Sequence, residues 1–433
     1  MVSGWQALFT KRADERFPAE ITRVIAEPHR YGEPDAMPTL AMLLDAAVIT
    51  SHRLDASTIH DLVALSFNTL LLAGVNEGFD GHRQFFDSAL QLIDLLEHRG
   101  HATTMLLLSA ARFEARIDNG GARRRQFIER ALSAAKDPGE RLTALLTVAK
   151  FHTDISEYRK ALAVLSECRR LSDNPLTEAA VDIETTTGVC YYYTDVDLAH
   201  RHFSDAVAMG GPLAERGDPC QPMATALHYL GRIASDKGQH QAALDHYVAG
   251  NNLAEGQLSG KGYFHQRLAE VLLRCGQVDE AEHHLVQAEA TFARVGQVSI
   301  PLAILNGTWA RLFVRTERYD DAERVLLTGL SISRRHGGPR AELMLRAELL
   351  TLRIKQGRWR DVLLLALRCL DLFIRTELAG AEGNPVKQIL AQLRWATTTI
   401  GSAFRRKPRR EADSQVTCPC GADHQPLTRE RRR

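Results

Sequence analysis

Residues 224–255, ATALHYLGRIASDKGQHQAALDHYVAGNNLAE, carry the pattern on which most of the chain is built. Leu227, Leu230, Gly231 and Ala234 recur at intervals of three and four, which places them on one face of a helix. Lys237-Gly238-Gln239 interrupts that helix, and Ala243, Tyr247 and Gly250 repeat the spacing on a second one. Small residues at Gly231, Ala243 and Gly250 let two helices approach closely, and the larger Tyr247 fills the space beside them. One such pair cannot bury its apolar face alone, so the pattern implies neighbours of the same kind.

Those neighbours appear when the turn and the small residue after it are aligned. Downstream, Leu268-Ala269, Gly276, Ala281, Leu285 and Ala288 take the same roles, followed by Trp309-Ala310, Tyr319, Ala322, Leu326 and Gly329. A weaker copy gives Leu349-Leu350, Gly357, Trp359, Val362, Ala366 and Cys369. Upstream, Val148-Ala149, Tyr158, Ala161, Leu165 and Cys168 fit well, and Gly188, Tyr191, Ala199, Phe203 and Ala206 fit less well. From Ala161 through Ala199, Ala243, Ala281 and Ala322 to Val362 the steps are 38, 44, 38, 41 and 40 residues.

This pattern resembles the tetratricopeptide repeat family, whose unit is a helix-turn-helix of about 34 residues with a Leu-Gly, Tyr, Ala, Phe type signature. Leu230-Gly231, Ala243 and Tyr247 match that signature closely. The longer step resembles the variety of about 40 residues seen in bacterial regulators. The resemblance covers residues 139–373 and extends less closely back to Pro38. It implies an all-α fold, a tetratricopeptide-like α-solenoid forming a right-handed superhelix of helix-turn-helix repeats. It also implies a protein or peptide partner, without saying which.

The chain has 433 residues, with 25% charged and a net charge of +1, so bulk electrostatics give no preference for nucleic acid or membrane. In a solenoid each repeat touches only its neighbours, so this length need not mean several cores. Seven scattered cysteines fit a reducing cytoplasm better than a disulfide framework, and Cys168 and Cys369 occupy small-residue slots of their repeats. Lys11, Arg12, Asp14, Glu15 and Arg16 stand where a signal peptide needs an apolar core. The richest apolar run, Leu40–Thr50, is broken by Asp45 and falls short of the ~20 residues that span a bilayer. A cytoplasmic location without a membrane span is expected.

The expected organisation is an irregular lead-in over 1–36, degenerate helical repeats over 37–138, the repeat array over 139–383, a capping helix over 384–404 and a basic disordered tail over 405–433. Helices are expected near 38–52, 57–74 and 80–98. The second of them, STIHDLVALSFNTLLLAG, has no Lys or Arg, so a DNA-reading role is not expected. Asp137-Pro138-Gly139-Glu140 offers an N-cap, a proline at the first helical position and a Glu three residues after the cap. Asp279 with Glu282 and Asp320 with Glu323 repeat that capping logic. Longer connections are expected at 172–176 and 210–222.

Asn384-Pro385 opens the proposed last helix, in which Ile389, Leu390, Leu393, Ala396 and Ile400 share an apolar face. From Gly401 onward the net charge is +5, with almost no large apolar residue, which favours disorder. Arg405–Arg410 is a basic run that reads either as a solvated tail or as a contact for acidic partners. Cys418, Cys420 and His424 have the chemistry of zinc ligands, but the Cys-x-Cys gap is tight and a second ligand pair is missing, so no metal is expected.

No phosphate-binding loop, zinc-protease helix or nucleophile elbow occurs. No catalytic residue and no cofactor is expected. His200, His202, His240, His246, His283 and His284 read as surface residues of second helices; His240 and His246 lie about 240° apart around a helix.

What remains is the groove that first helices line in this architecture. By resemblance its candidates are Lys150, Arg232, Glu270, Arg311 and Thr351, with Asp154, Asp236, Arg274, Arg315 and Lys355 one turn further. Lys150, Arg232, Arg274, Arg311, Arg315 and Lys355 are its cationic members. They either receive an acidic partner segment or are neutralised across repeats by Glu270 and Glu348. Family members that bind chaperone tails use a Lys/Asn clamp, and His228 and Arg232 stand at the corresponding positions here. The expected function is a non-catalytic adaptor or sensor. The alternatives are a ligand-responsive regulator acting through a partner and an accessory subunit of an enzyme.

Overall fold

The computed structural model describes residues 19–27, 36–73, 82–117 and 121–373, the last with breaks at 156, 173, 175–176, 193, 218–219, 255–257, 295–299 and 336–338. Most of the lead-in, the capping helix over 384–404 and the tail over 405–433 with Cys418, Cys420 and His424 lie outside the described residues. The described residues form eighteen helices and no strand. They divide into two compact units, one reaching to Ile155 and including Arg159–Asp173, the other comprising Ser156–Tyr158 and everything from Asn174.

The first unit holds α1 (Met37–Thr50), α2 (Ala56–Ala73), α3 (His82–His98), α4 (Thr104–Ile117), α5 (Ala122–Ala134), α6 (Pro138–Asp154) and α7 (Tyr158–Leu171), preceded by a helical segment over 19–26. Its core is largely aliphatic with a cluster of phenylalanines inside it. Phe86 meets Phe67 edge-on at 5.8 Å between ring centres, and Phe113 and Phe127 at 5.0 and 5.9 Å. The start of α6 follows the expected cap: the Asp137 carboxylate accepts from the Glu140 amide at 2.9 Å, with Pro138 at the first turn. Glu140 in turn accepts from the Lys136 amide at 2.9 Å. Two otherwise unpaired donors are thereby satisfied.

The second unit is a run of helix pairs: α8 (Glu178–Tyr192) with α9 (Val196–Glu215), α10 (Gln221–Asp236) with α11 (His240–Leu253), α12 (Leu258–Cys275) with α13 (Val278–Arg294), α14 (Ile300–Arg315) with α15 (Tyr319–Arg335), and α16 (Pro339–Lys355) with α17 (Trp359–Phe373). Ala199, Ala243, Ala281 and Ala322, the markers of the repeat, are fully buried. Bulky rings fill the space that glycines leave. Gly188 faces Phe203, Gly231 faces Tyr247, Gly250 faces Phe264 and Gly262 faces Phe292.

First helices also touch one another along the array, α8 on α10, α12 on α14, and α14 on α16. They therefore form one layer of the unit, and the second helices form the other.

In the last four pairs the turn uses left-handed backbone at one position, Gly238, Gly276, Glu317 and Gly357 in turn. These are spaced 38, 41 and 40 residues apart, the same steps that separate Ala243, Ala281, Ala322 and Val362. Three of the four are glycine, which enters that region without a Cβ clash. Glu317 enters it at φ 62° and carries the strain.

Three expectations are corrected. The connection expected at 210–222 is largely helix, since α9 runs to Glu215 with Pro212 inside it. Gly-Gly-Pro normally ends a helix, because proline removes one hydrogen bond and crowds the preceding turn. Here burial of Leu213 and the close packing of Gly210 on Met223 hold the helix past it. Asp279 and Asp320 lie inside the first turns of α13 and α15, where they complement the helix dipole instead of capping it. Finally, His284 is no surface residue: it is 2% exposed, with Nδ1 3.0 Å from Nδ1 of His265 and the two rings stacked.

Candidate functional site

The layer of first helices carries two rows of polar positions, each advancing by one repeat per step. The first row is Arg232, Glu270, Arg311 and Thr351; the second, one turn further along each helix, is Asp236, Arg274, Arg315 and Lys355. Equivalent positions on stacked first helices are neighbours, and Arg232, Glu270, Arg274, Arg311 and Arg315 meet partners about one repeat away.

The first row is an internal ladder. Arg311 on α14 bonds Glu270 on α12 and, through Nε at 2.6 Å, Glu348 on α16. Glu270 also accepts from Arg267 at 2.5 Å. One turn earlier, Gln266 donates to the buried Thr308 hydroxyl at 2.9 Å. Burial opposes ionisation of Glu270, yet Arg267, Arg311 and Arg274 hold its carboxyl well below the usual range. Burial likewise opposes charge on Arg311, and Glu348 and Glu270 keep it firmly protonated. Of the two readings of Arg311, neutralisation across repeats is the one observed. Arg232 has a different setting, with its guanidinium 4.9 Å over the Tyr192 ring and 5.7 Å from that of Tyr229.

The second row faces solvent. Arg274, Arg315 and Lys355 are all exposed. Arg274 donates to the Ser235 carbonyl and hydroxyl, both at 3.2 Å, and lies 3.9 Å from Asp236. Arg315 donates to the Leu273 carbonyl. Each arginine thus serves the carboxyl end of the preceding first helix, where a cation is favourable. A planar guanidinium has five donors, so one such bond leaves others for a ligand. Along this row three cations stand against the single acid Asp236.

Lys150 is exposed on α6 in the first unit, one turn before Asp154. His228 sits among Tyr229, Tyr247 and Phe264, and burial followed by Arg267 and Arg232 depresses its pKa well below the ordinary value.

Sequence reasoning missed Arg267 as a partner of Glu270, although the spacing of three on one helix was visible. It also missed a cluster in the first repeat of this unit. Glu184, His202 and Asp205 bring three ligand-type atoms within 4.8 Å of one another. His202 Nδ1 is 2.7 Å from Glu184 Oε2, and the Tyr191 ring stacks on His202 at 5.6 Å. That arrangement is complete as a hydrogen-bonded pair. Among the described residues no helix is long and apolar enough to cross a membrane.

Repeated pairs, a shared turn position and two layers define an architecture that recurs among solved structures. A Rap protein complexed with competence and sporulation factor superposes with a TM-score of 0.55 at 11% identity, covering 82% of this chain and 98% of that one. The fold is of the tetratricopeptide-repeat type. Aspartyl phosphate phosphatase F from Bacillus subtilis gives a TM-score of 0.51 at 12% identity, covering 84% of this chain and 96% of that one. A STAND signal-transduction ATPase with a tetratricopeptide repeat sensor, from Pyrococcus horikoshii, gives 0.51 at 13% identity, covering 86% of this chain and 55% of that one. No family model matches the chain, and no curated protein matches it.

Proposed function

We propose that this chain is a non-catalytic, protein-binding regulator of the cytoplasm that receives an acidic segment of its partner on the first-helix layer of the second unit. The observation that carries this reading is the exposed row Arg274, Arg315 and Lys355, which has one acid, Asp236, to offset it. Carboxylates of a bound segment spaced along this row gain charge-assisted hydrogen bonds from guanidinium groups already held in place. Arg311 supports the surface from beneath, and Arg232 with its two tyrosines forms a stacking edge beside it. The ladder argues against proton-transfer chemistry at this place, since Glu270 is held ionised far from neutral pH. The likeness to a Rap protein solved with a bound factor, and to a repeat sensor, supports the regulator reading over that of an enzyme's accessory subunit.

The test is an array of immobilised peptides of graded acidic content, probed with the full chain at low and high salt. Acidic peptides should retain the wild type, more strongly at low salt. Arg274→Gln with Lys355→Gln should lose that retention, while Lys150→Gln keeps it. Equal retention by the double variant would remove the second row from the site.

A further inference from the structure

The last described helix breaks a pattern that every earlier second helix obeys. In α15, Ala322, Leu326 and Leu330 are at most 4% exposed, and in α13 Ala281, Leu285 and Ala288 are fully buried. The equivalent stretch of α17 contains no buried residue. Leu365 packs on the core, which fixes that side of the helix against its own repeat. On the other side Trp359, Leu363, Leu364, Leu367 and Leu370 stand 61, 65, 58, 57 and 54% exposed. Trp359, Leu363, Leu367 and Leu370, at intervals of four, four and three, make one stripe, and Leu364 lies at its edge. In each preceding pair the next first helix packs on the second helix, α12 on α11, α14 on α13 and α16 on α15. A stripe of five large apolar side chains is far more than the scattered exposure normal for a soluble surface.

We propose that residues 384–404 of the same chain cover this stripe. Their sequence, NPVKQILAQLRWATTTIGSAF, sets Ile389, Leu390, Leu393, Ala396 and Ile400 on one helical face, with Asn-Pro as the start signal. They follow Phe373 after only residues 374–383, in the same chain direction as every other first helix follows its neighbour. Ten residues of random coil span roughly 17 Å, a reach that matches the last three turns of α17. A tethered segment acts at an effective concentration on the order of millimolar, which a second copy or a foreign helix must exceed to displace it. Past Ile400 the apolar pattern stops and the basic run begins.

The full chain, with Leu367 replaced by the photo-crosslinker p-benzoylphenylalanine, tests this. Position 367 is exposed, so the substitution leaves the core intact, which circular dichroism checks. Irradiation of the purified protein should give an intrachain adduct that peptide mapping places within 384–404. Adding Leu393→Asp should lower its yield at least tenfold. An adduct joining two chains would show that a second copy covers the stripe and overturn the proposal. No adduct would overturn it as well, leaving the stripe for a foreign partner, and so would an adduct insensitive to Leu393→Asp.

Discussion

A Cβ atom on Gly231 would lie 2.4 Å from Cε1 of Tyr247, well inside the ring's van der Waals surface. Tyr247 is 2% exposed and has nowhere to retreat. Gly231→Ala should therefore destabilise the chain by about 1–3 kcal/mol through overpacking. Adding Tyr247→Leu should recover part of that loss, a coupling that urea denaturation of the four proteins measures. Strictly additive effects would count against the contact.

Arg311 is the central member of a partly buried charge ladder, so its removal leaves Glu270 and Glu348 facing each other's field without it. Arg311→Leu should cost about 3–5 kcal/mol. Replacing all three residues with leucine should restore most of the stability, because the desolvation cost of the ions disappears with them. Thermal unfolding distinguishes the two variants. If the single variant melts with the wild type, the ladder is not formed in solution.

Acid should weaken the fold in two stages. Burial, with help from His283 and Lys261, lowers His265 to about 4 from an ordinary 6.5. Its stabilising effect is thus complete above pH 6.5 and is lost as pH falls toward 4, because the unfolded chain takes up the proton first. Glu270 has a depressed pKa, so its contribution holds above the ordinary carboxylate range and drains away below it. His265→Gln should lessen the slope of the melting midpoint between pH 6.5 and 4, where His228 also contributes, and Glu270→Gln should lessen it only below that. An unchanged slope in the first window would contradict the buried, neutral His265.

Glu317 holds the turn position that glycine fills in three sister repeats. Glu317→Gly should raise stability by about 0.5–1 kcal/mol, as relief of the left-handed strain exceeds the entropy that glycine adds to the unfolded chain. Gly276→Ala at the equivalent turn should lower it. Denaturant midpoints report both.

The repeat was legible because its spacing rules are local. Gly238, Ala243 and Tyr247 announce a turn and a close helix pair within ten residues. Pro212 misled because only packing from outside its own segment, at Leu213 and at Gly210 on Met223, keeps α9 continuous. The fate of Arg311 was open for another reason: its partners lie 41 residues before it and 37 after it. Those separations are close to the repeat step, and so are the 39 from Arg274 to Ser235 and the 42 from Arg315 to Leu273. Charges aligned one step apart pair Glu270 with Arg311, which is the neutralisation reading of the sequence. Local helical spacing could not do so, because the contact belongs to the stacking of units.

The ladder also has a mechanical consequence. Glu270, Arg311 and Glu348 tie three successive first helices together, so parting α14 from either neighbour stretches an ion pair set in a poorly hydrated seam. Between α10 and α12 the charged tie is Arg274, on Ser235 and near Asp236 at the solvent edge, where water can replace it at little cost. Under load, or when a ligand wedges the layer open, α12 to α16 should move as one stiff block and yield first at the junction with α10.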